Sequence, residues 1–179
     1  MIRIIGGELR GRKLETPSWD GLRPTSDRLR ETLFNILTPR ISGARLLDGY
    51  AGTGAVGIEA LSRGASRVTF VEQDPRAEGL IRKNLARCGV ADRHVIIRAR
   101  LAAAAAQLGD SFDIVFLDPP YGGDELASGL DAGAALVAPG GLLVIEHARR
   151  DAAPETVAGL KRTRALIQGD SALAFYTHV

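Results

Sequence analysis

The chain has 179 residues, 45% hydrophobic and 25% charged, about one domain's worth of sequence with apolar material for a sizeable core. No apolar run approaches the ~18 residues a membrane helix needs. The start, MIRIIGGELRGRK, has no apolar signal region, and the single cysteine, Cys88, cannot form an internal disulfide, so a soluble cytoplasmic protein is expected. The charge is uneven: residues 1–45 hold nine basic and five acidic side chains, net +4, while the whole chain carries +2. A basic front on a near-neutral body points to a polyanion partner, nucleic acid above all.

Taken in order, IRIIGGELRGRKL has short apolar runs around Gly6-Gly7 and Gly11, which predicts a hairpin. A Pro/Gly-rich connection, TPSWDGLRP, follows, and Trp19 within it is read as core cover. TSDRLRETLFNIL predicts a helix capped by Thr25, Ser26 or Asp27. Leu29, Leu33, Ile36 and Leu37 share one face, Arg28 and Arg30 lie off it, and Pro39 and Gly43 close the element. From Ala44 apolar runs alternate with helical stretches. ARLLD, RVTFVE, HVIIR, FDIVFLD and GLLVIEH read as strands buried on both faces, with GAVGIEALSRG, PRAEGLIRKNLARCG, LAAAAAQLG and DELASGLDAGAALV as the helices between them. Repeated βα units of this length predict a parallel, doubly wound sheet. After a short helix near Pro154 to Ala158, LKRTRALIQ and SALAFYTHV flank Gly169-Asp170 and predict an antiparallel hairpin closing one sheet edge.

Two motifs carry chemistry. LLDGYAGTGAVG follows the first parallel strand and opens a helix, and Gly52, Gly54 and Gly57 match G-x-G-x-x-G. Glu72 ends the next strand, twenty residues after Gly52, where a carboxylate can accept hydrogen bonds from both ribose hydroxyls. Asp48, four residues before Gly52, would repel a pyrophosphate but could hold the positive methionine part of S-adenosylmethionine. That cofactor is therefore preferred to a nicotinamide dinucleotide. Asp48, Tyr50, Gly52, Thr53, Gly54 and Glu72 are the cofactor candidates of this bend. The second motif is Asp118-Pro119-Pro120-Tyr121, at the carboxyl end of the fourth strand. The prolines restrict where Asp118 can point. The Asp118 side chain and the Pro119 carbonyl can accept the N–H groups of an exocyclic base amine, aim its lone pair, and so catalyse by orientation. Tyr121 offers a ring for stacking on a base drawn out of its helix or loop. No metal is required.

RIIGGELRGRKL, LRPTSDRLRETLFNIL, LLDGYAGTGAVGIEALSRGA and DPPY together resemble the RsmD-type methyltransferases, which modify guanine N2 in small-subunit ribosomal RNA. The resemblance covers nearly the whole chain. It implies a class I methyltransferase fold, α/β and Rossmann-like, with seven strands, the last antiparallel, and an amino-terminal hairpin extension. The implied division is residues 1–22 for hairpin and linker and 23–179 for the methyltransferase domain. The implied activity is S-adenosylmethionine-dependent methylation of guanine 966 of 16S ribosomal RNA, free or in the assembling small subunit, by a monomer. It further implies that the hairpin and the Arg23–Arg30 region contact RNA. Arg3, Arg10, Arg12 and Lys13 are the candidates for phosphates, with Arg23, Thr25 and Arg28 closer to the target base. Two positions depart from the family. Arg100-Leu101 stands where Asp or Asn followed by Ala is usual, leaving the Leu101 amide to reach adenine, and Tyr50 replaces a more usual phenylalanine.

His94, His147 and His178 are widely separated and form no ligand pattern, so zinc is not expected, and Cys88 is read as packing. The alternatives are methylation of another amine, such as adenine N6 in DNA or RNA, and a non-catalytic RNA-binding assembly factor.

Overall fold

Runs of apolar residues separated by helical stretches fold here, as their pattern requires, into parallel strands joined by helices. The computed structural model describes residues 1–109 and 112–179, in two units, Met1–Ala99 and Arg100–Val179.

In the first unit, β1 (Ile2–Arg3) and β2 (Lys13–Leu14) pair antiparallel, with Ile2 opposite Leu14 and Arg3 opposite Lys13. Strand alternation sends the apolar rung into the core and the basic rung into solvent. Helix α1 (Asp27–Ile41) starts at Ser26, whose hydroxyl oxygen accepts the Leu29 N–H at 3.2 Å. Leu29, Leu33 and Leu37 are buried as the spacing predicts, but Ile36 is only half-buried and Phe34 and Ile41 complete the face. Pro39 does not end the helix. It sits in the last turn on the exposed side, where water can take the carbonyl its missing N–H leaves open.

Next come β3 (Arg45–Asp48), α2 (Ala55–Ser62), β4 (Arg67–Glu72), α3 (Pro75–Arg87) and β5 (His94–Arg98). β3 pairs parallel with β4, and β4 with β5. β4 is buried on both faces at its centre. β5 is only half-buried, contrary to the reading of its apolar run, because β4 covers just one of its edges in this unit.

Every residue of α2 is buried, including Glu59. Its carboxylate accepts the N–H groups of Ile5 at 2.9 Å and Gly6 at 2.8 Å and the Arg63 Nε–H at 2.9 Å. Arg30, read from sequence as lying off the buried stripe in an RNA-contacting segment, has a fully buried side chain. Its guanidinium donates to the Arg3 carbonyl and to Asp27 and sits 3.7 Å from Glu59. Burial lowers its pKa, and Glu59 and Asp27 oppose that. Gly6-Gly7, expected as the turn of the hairpin, instead docks it on α2: the Ser62 hydroxyl donates to the Gly6 carbonyl at 2.5 Å. A Cβ on Gly7 would stand 1.9 Å from the Ser62 carbonyl oxygen, so only glycine allows this approach.

The second unit contains α4 (Leu101–Ala105), β6 (Phe112–Leu117), α5 (Glu125–Ala134), β7 (Val137–Ala148), β8 (Thr156–Val157), β9 (Leu160–Gln168) and β10 (Ser171–His178). β6 and β7 are parallel, and β10 runs antiparallel between β7 and β9, with Gln168 opposite Ser171 across the Gly169-Asp170 turn. The hairpin is thus the predicted one. The short helix expected near Pro154 to Ala158 is instead strand β8, paired with β9. Ala158 and Gly159 both take positive φ, 43° and 83°, giving the two-residue turn that matches strand twist. Among the described residues the extra strand brings the main strands to three in the first unit and five in the second, one more than the implied seven. Helix α4 stops at Ala105, short of the predicted Gly109.

Removing one partner of a buried ion pair strands the other charge, which costs about 3–5 kcal/mol. Glu59→Ala should therefore lose roughly that much stability in urea unfolding. It should also speed tryptic cleavage at Arg10, Arg12 and Lys13, because the hairpin loses its anchor. Unchanged cleavage would show that the hairpin is held elsewhere.

Candidate active site

β3 delivers Asp48 to the start of the glycine bend, and α2 begins after Gly54. Gly54 caps the helix in the left-handed region, φ 81°, and has no side chain to satisfy the first helical N–H groups. Asp48 does so from nine residues away: its carboxylate accepts the Gly57 N–H at 3.1 Å. The carboxylate also faces the positive end of the helix. Gly57 is required at this point, since a Cβ there would meet the Phe70 ring at 2.2 Å.

Asp48 is 1% exposed. Burial pushes its pKa up to about 7, the Gly57 N–H pulls against that, and the nearby Glu72 charge adds to the rise. Its second oxygen makes no hydrogen bond among the described residues. Glu72, at the end of β4, accepts the Gly52 N–H at 2.8 Å and the Asp74 N–H at 2.9 Å. A carboxylate offers about four lone-pair sites, so two remain for a ligand's hydroxyls. Thr53 is buried, and its hydroxyl oxygen accepts the Ala55 N–H at 3.3 Å. Tyr50 is half-buried. An unpaired carboxylate oxygen beside half-used lone pairs fits a ligand carrying a cation and a diol. The sequence-predicted residues Asp48, Tyr50, Gly52, Thr53, Gly54 and Glu72 are thus gathered in one bend.

Two residues that sequence reading missed hold that bend. Asn84 is fully buried on α3. Its amide donates to the Thr53 carbonyl at 2.9 Å and the Glu15 carbonyl at 3.1 Å, and its side-chain oxygen accepts the Glu15 N–H at 2.7 Å. It therefore ties the segment after β2 to the glycine bend. The signal was legible: Asn84 stands on the apolar stripe of Leu80, Ile81 and Leu85. Leu22 is the second, its side chain lying over Gly52. Trp19, expected as core cover, is half-buried and carries the Arg76 guanidinium over its ring at 5.0 Å. Cys88 is buried at the end of α3, and burial pushes its thiol up, as a packing role requires.

In the second unit the buried strand β6 ends on Asp118, which is half-buried, followed by buried Pro119, exposed Pro120 and half-buried Tyr121. The Tyr121 hydroxyl lies 2.8 Å from the Ser171 hydroxyl, so β10 fixes the ring's outer end. Leu101 is buried in the first turn of α4, and the exposed Arg100 reaches Glu125 of α5 at 3.7 Å. Of the basic candidates, Arg3, Arg10, Arg12, Lys13 and Arg28 are exposed and make no ion pair among the described residues. Arg23 is exposed and Thr25 half-buried.

A family model described as "Conserved hypothetical protein 95" matches residues 2–177. "Ribosomal RNA small subunit methyltransferase D" of Escherichia coli (strain K12) is 49% identical over 120 residues, which cover 67% of this chain and 60% of that protein. The Bacillus subtilis (strain 168) protein YlbH is 36% identical over 98% of both chains. Among solved structures, the Escherichia coli protein yhhF superposes with a TM-score of 0.87 at 40% identity, covering 99% of this chain and 97% of that one.

The raised Asp48 pKa has a definite sign. Between the ordinary 3.8 and about 7 the folded state keeps a proton that the unfolded chain releases, so Asp48 lowers stability as pH rises through that window. Asp48→Asn keeps an acceptor for Gly57 and removes the charge. It should stabilise the fold at pH 8 by up to roughly 4 kcal/mol and flatten the stability profile between about pH 4 and 7. Urea unfolding across that range checks it, and an unchanged slope would contradict the assignment.

Proposed function

The chain belongs to the RsmD family and has the class I methyltransferase fold, and from that premise we propose that it methylates the exocyclic N2 amine of a guanine in small-subunit ribosomal RNA, guanine 966 of 16S RNA, using S-adenosylmethionine. The observation that carries this reading is the Asp118-Pro119-Pro120-Tyr121 turn closing a buried parallel strand, in a chain 49% identical over 120 residues to a ribosomal RNA methyltransferase.

When bound, the cofactor would supply an activated methyl group on a sulfonium, a leaving group that needs no protonation, and the proton the amine nitrogen loses would pass to the Asp118 carboxylate that accepts its N–H. The remaining work falls to this chain. Glu72 takes the ribose hydroxyls through its spare lone pairs, and Asp48 holds the cationic methionine end. Leu101 offers its backbone amide to the adenine. Asp118 and the Pro119 carbonyl accept the two amine N–H groups, which draws the nitrogen lone pair out of the ring and directs it. Tyr121, fixed by Ser171, stacks on the base, worth about 1–3 kcal/mol. No covalent enzyme intermediate is needed. Arg3, Arg10, Arg12 and Lys13 hold phosphates, with Arg23, Thr25 and Arg28 nearer the target.

Incubation with labelled S-adenosylmethionine and ribosomal RNA or small subunits from cells lacking the protein should yield N2-methylguanosine after nucleoside digestion. Label on N6-methyladenosine, or none, would overturn the reading. Asp118→Ala should cut kcat by about 10²–10³-fold, as for loss of a transition-state hydrogen-bond partner. Cofactor affinity should stay within a few-fold. Cofactor binding to the wild type should tighten as pH rises through about 7, where Asp48 ionises, and Asp48→Asn should lack that component of the profile.

A further inference from the structure

The second unit contains a cavity of about 300 Å³ that no residue assigned so far explains in full. Pro119, Pro120 and Tyr121 line it together with His147, Arg150 and Asp151, from the end of β7 and the turn after it. The volume is at the lower end for small-molecule sites, the scale of a single base.

His147 is 7% exposed. Its Nδ1 lies 2.9 Å from the Ala148 carbonyl oxygen. A carbonyl only accepts, so Nδ1 carries the proton and Nε2 of the neutral ring presents a lone pair. Nε2 makes no hydrogen bond among the described residues. Arg150 is exposed at the same cavity and has no ion-pair partner among the described residues. Beside the Asp-Pro-Pro-Tyr turn the cavity lining therefore includes an acceptor on His147 and a cationic donor on Arg150.

Resting on the function proposed above, we propose that this cavity takes the target base and that His147 and Arg150 read its identity. With the N2 amine at Pro119, the next groups along a guanine's edge are the N1–H and the O6 carbonyl. His147 Nε2 accepts the N1–H, and Arg150 donates to O6. A base with an amine at position 6 and a bare N1 inverts both contacts, setting donor against donor and lone pair against lone pair. The two residues would thus make the site selective for guanine while the Asp118 turn does the chemistry.

The base 2,6-diaminopurine tests this, because it keeps the N2 amine and inverts the other two groups. Small subunits are reconstituted with guanine or 2,6-diaminopurine at the target position and methylated with labelled S-adenosylmethionine. The wild type should prefer guanine by about 10- to 100-fold in kcat/KM, the size of base discrimination by paired hydrogen bonds. Arg150→Ala and His147→Ala should each lower the rate on guanine, leave 2,6-diaminopurine little changed, and collapse the preference. Arg150 is exposed, so its variant tests the proposal even if His147→Ala does not fold. Equal wild-type rates on the two bases, or an undiminished preference in Arg150→Ala, would overturn this inference and leave the activity standing. No label on the guanine subunits would end the functional reading and this inference with it.

Discussion

The bond from the Gly57 amide to the buried Asp48 carboxylate is the constraint on which the first unit's candidate site depends. A helix that starts on glycine has no side chain of its own to satisfy its first amides, and here the end of the preceding strand supplies one. Glu72 then takes the Gly52 amide, so two carboxylates pin the bend from two adjacent strands. The arrangement places negative charge where a dinucleotide's pyrophosphate would otherwise sit. Its cost is a buried aspartate that ionises only near neutrality. A fold that pays this penalty at a glycine bend is suited to a cationic ligand.

The same device recurs at the hairpin. Glu59 gathers the Ile5 and Gly6 amides while Arg30 and Arg63 balance its charge. Asn84 carries the connection onward, from the segment after β2 to Thr53 in the bend. The exposed basic rung of Arg3 and Lys13 is therefore mounted on the element that shapes the cofactor candidate. A polyanion gripped by those side chains would meet a fixed surface rather than a loose tail.

Much of this was legible in the chain. The alternation of apolar runs and helical stretches gave the βα order, and strand ends placed Asp48, Glu72 and Asp118 at carboxyl termini, where α/β sheets bind ligands. Gly169-Asp170 as a turn followed from local chemistry, which also narrowed the α1 cap to Thr25, Ser26 or Asp27, of which the fold uses Ser26. What escaped was long-range or masked by local rules. Glu59 bonds residues more than fifty positions away, and Asn84 one sixty-nine away, so neither partner shows in a local window. Arg30 reads as off the buried stripe because it is charged and out of phase with the leucines, yet its guanidinium is buried against the Arg3 carbonyl of the hairpin. Pro39 read as a stop, but a proline on the exposed side of a last turn loses little. Pro154 to Ala158 passed as a short helix because alanine rarely takes positive φ, and the paired strands force Ala158 there.

Native-state hydrogen exchange of the ligand-free protein tests the central claim, that carboxylates hold the glycine bend in shape before anything binds. The Gly52 and Gly57 amides should exchange as slowly as those in the middle of β4, opening only with the whole unit. Exchange as fast as at the exposed Gly122 and Gly123 would mean that these bonds do not hold the bend.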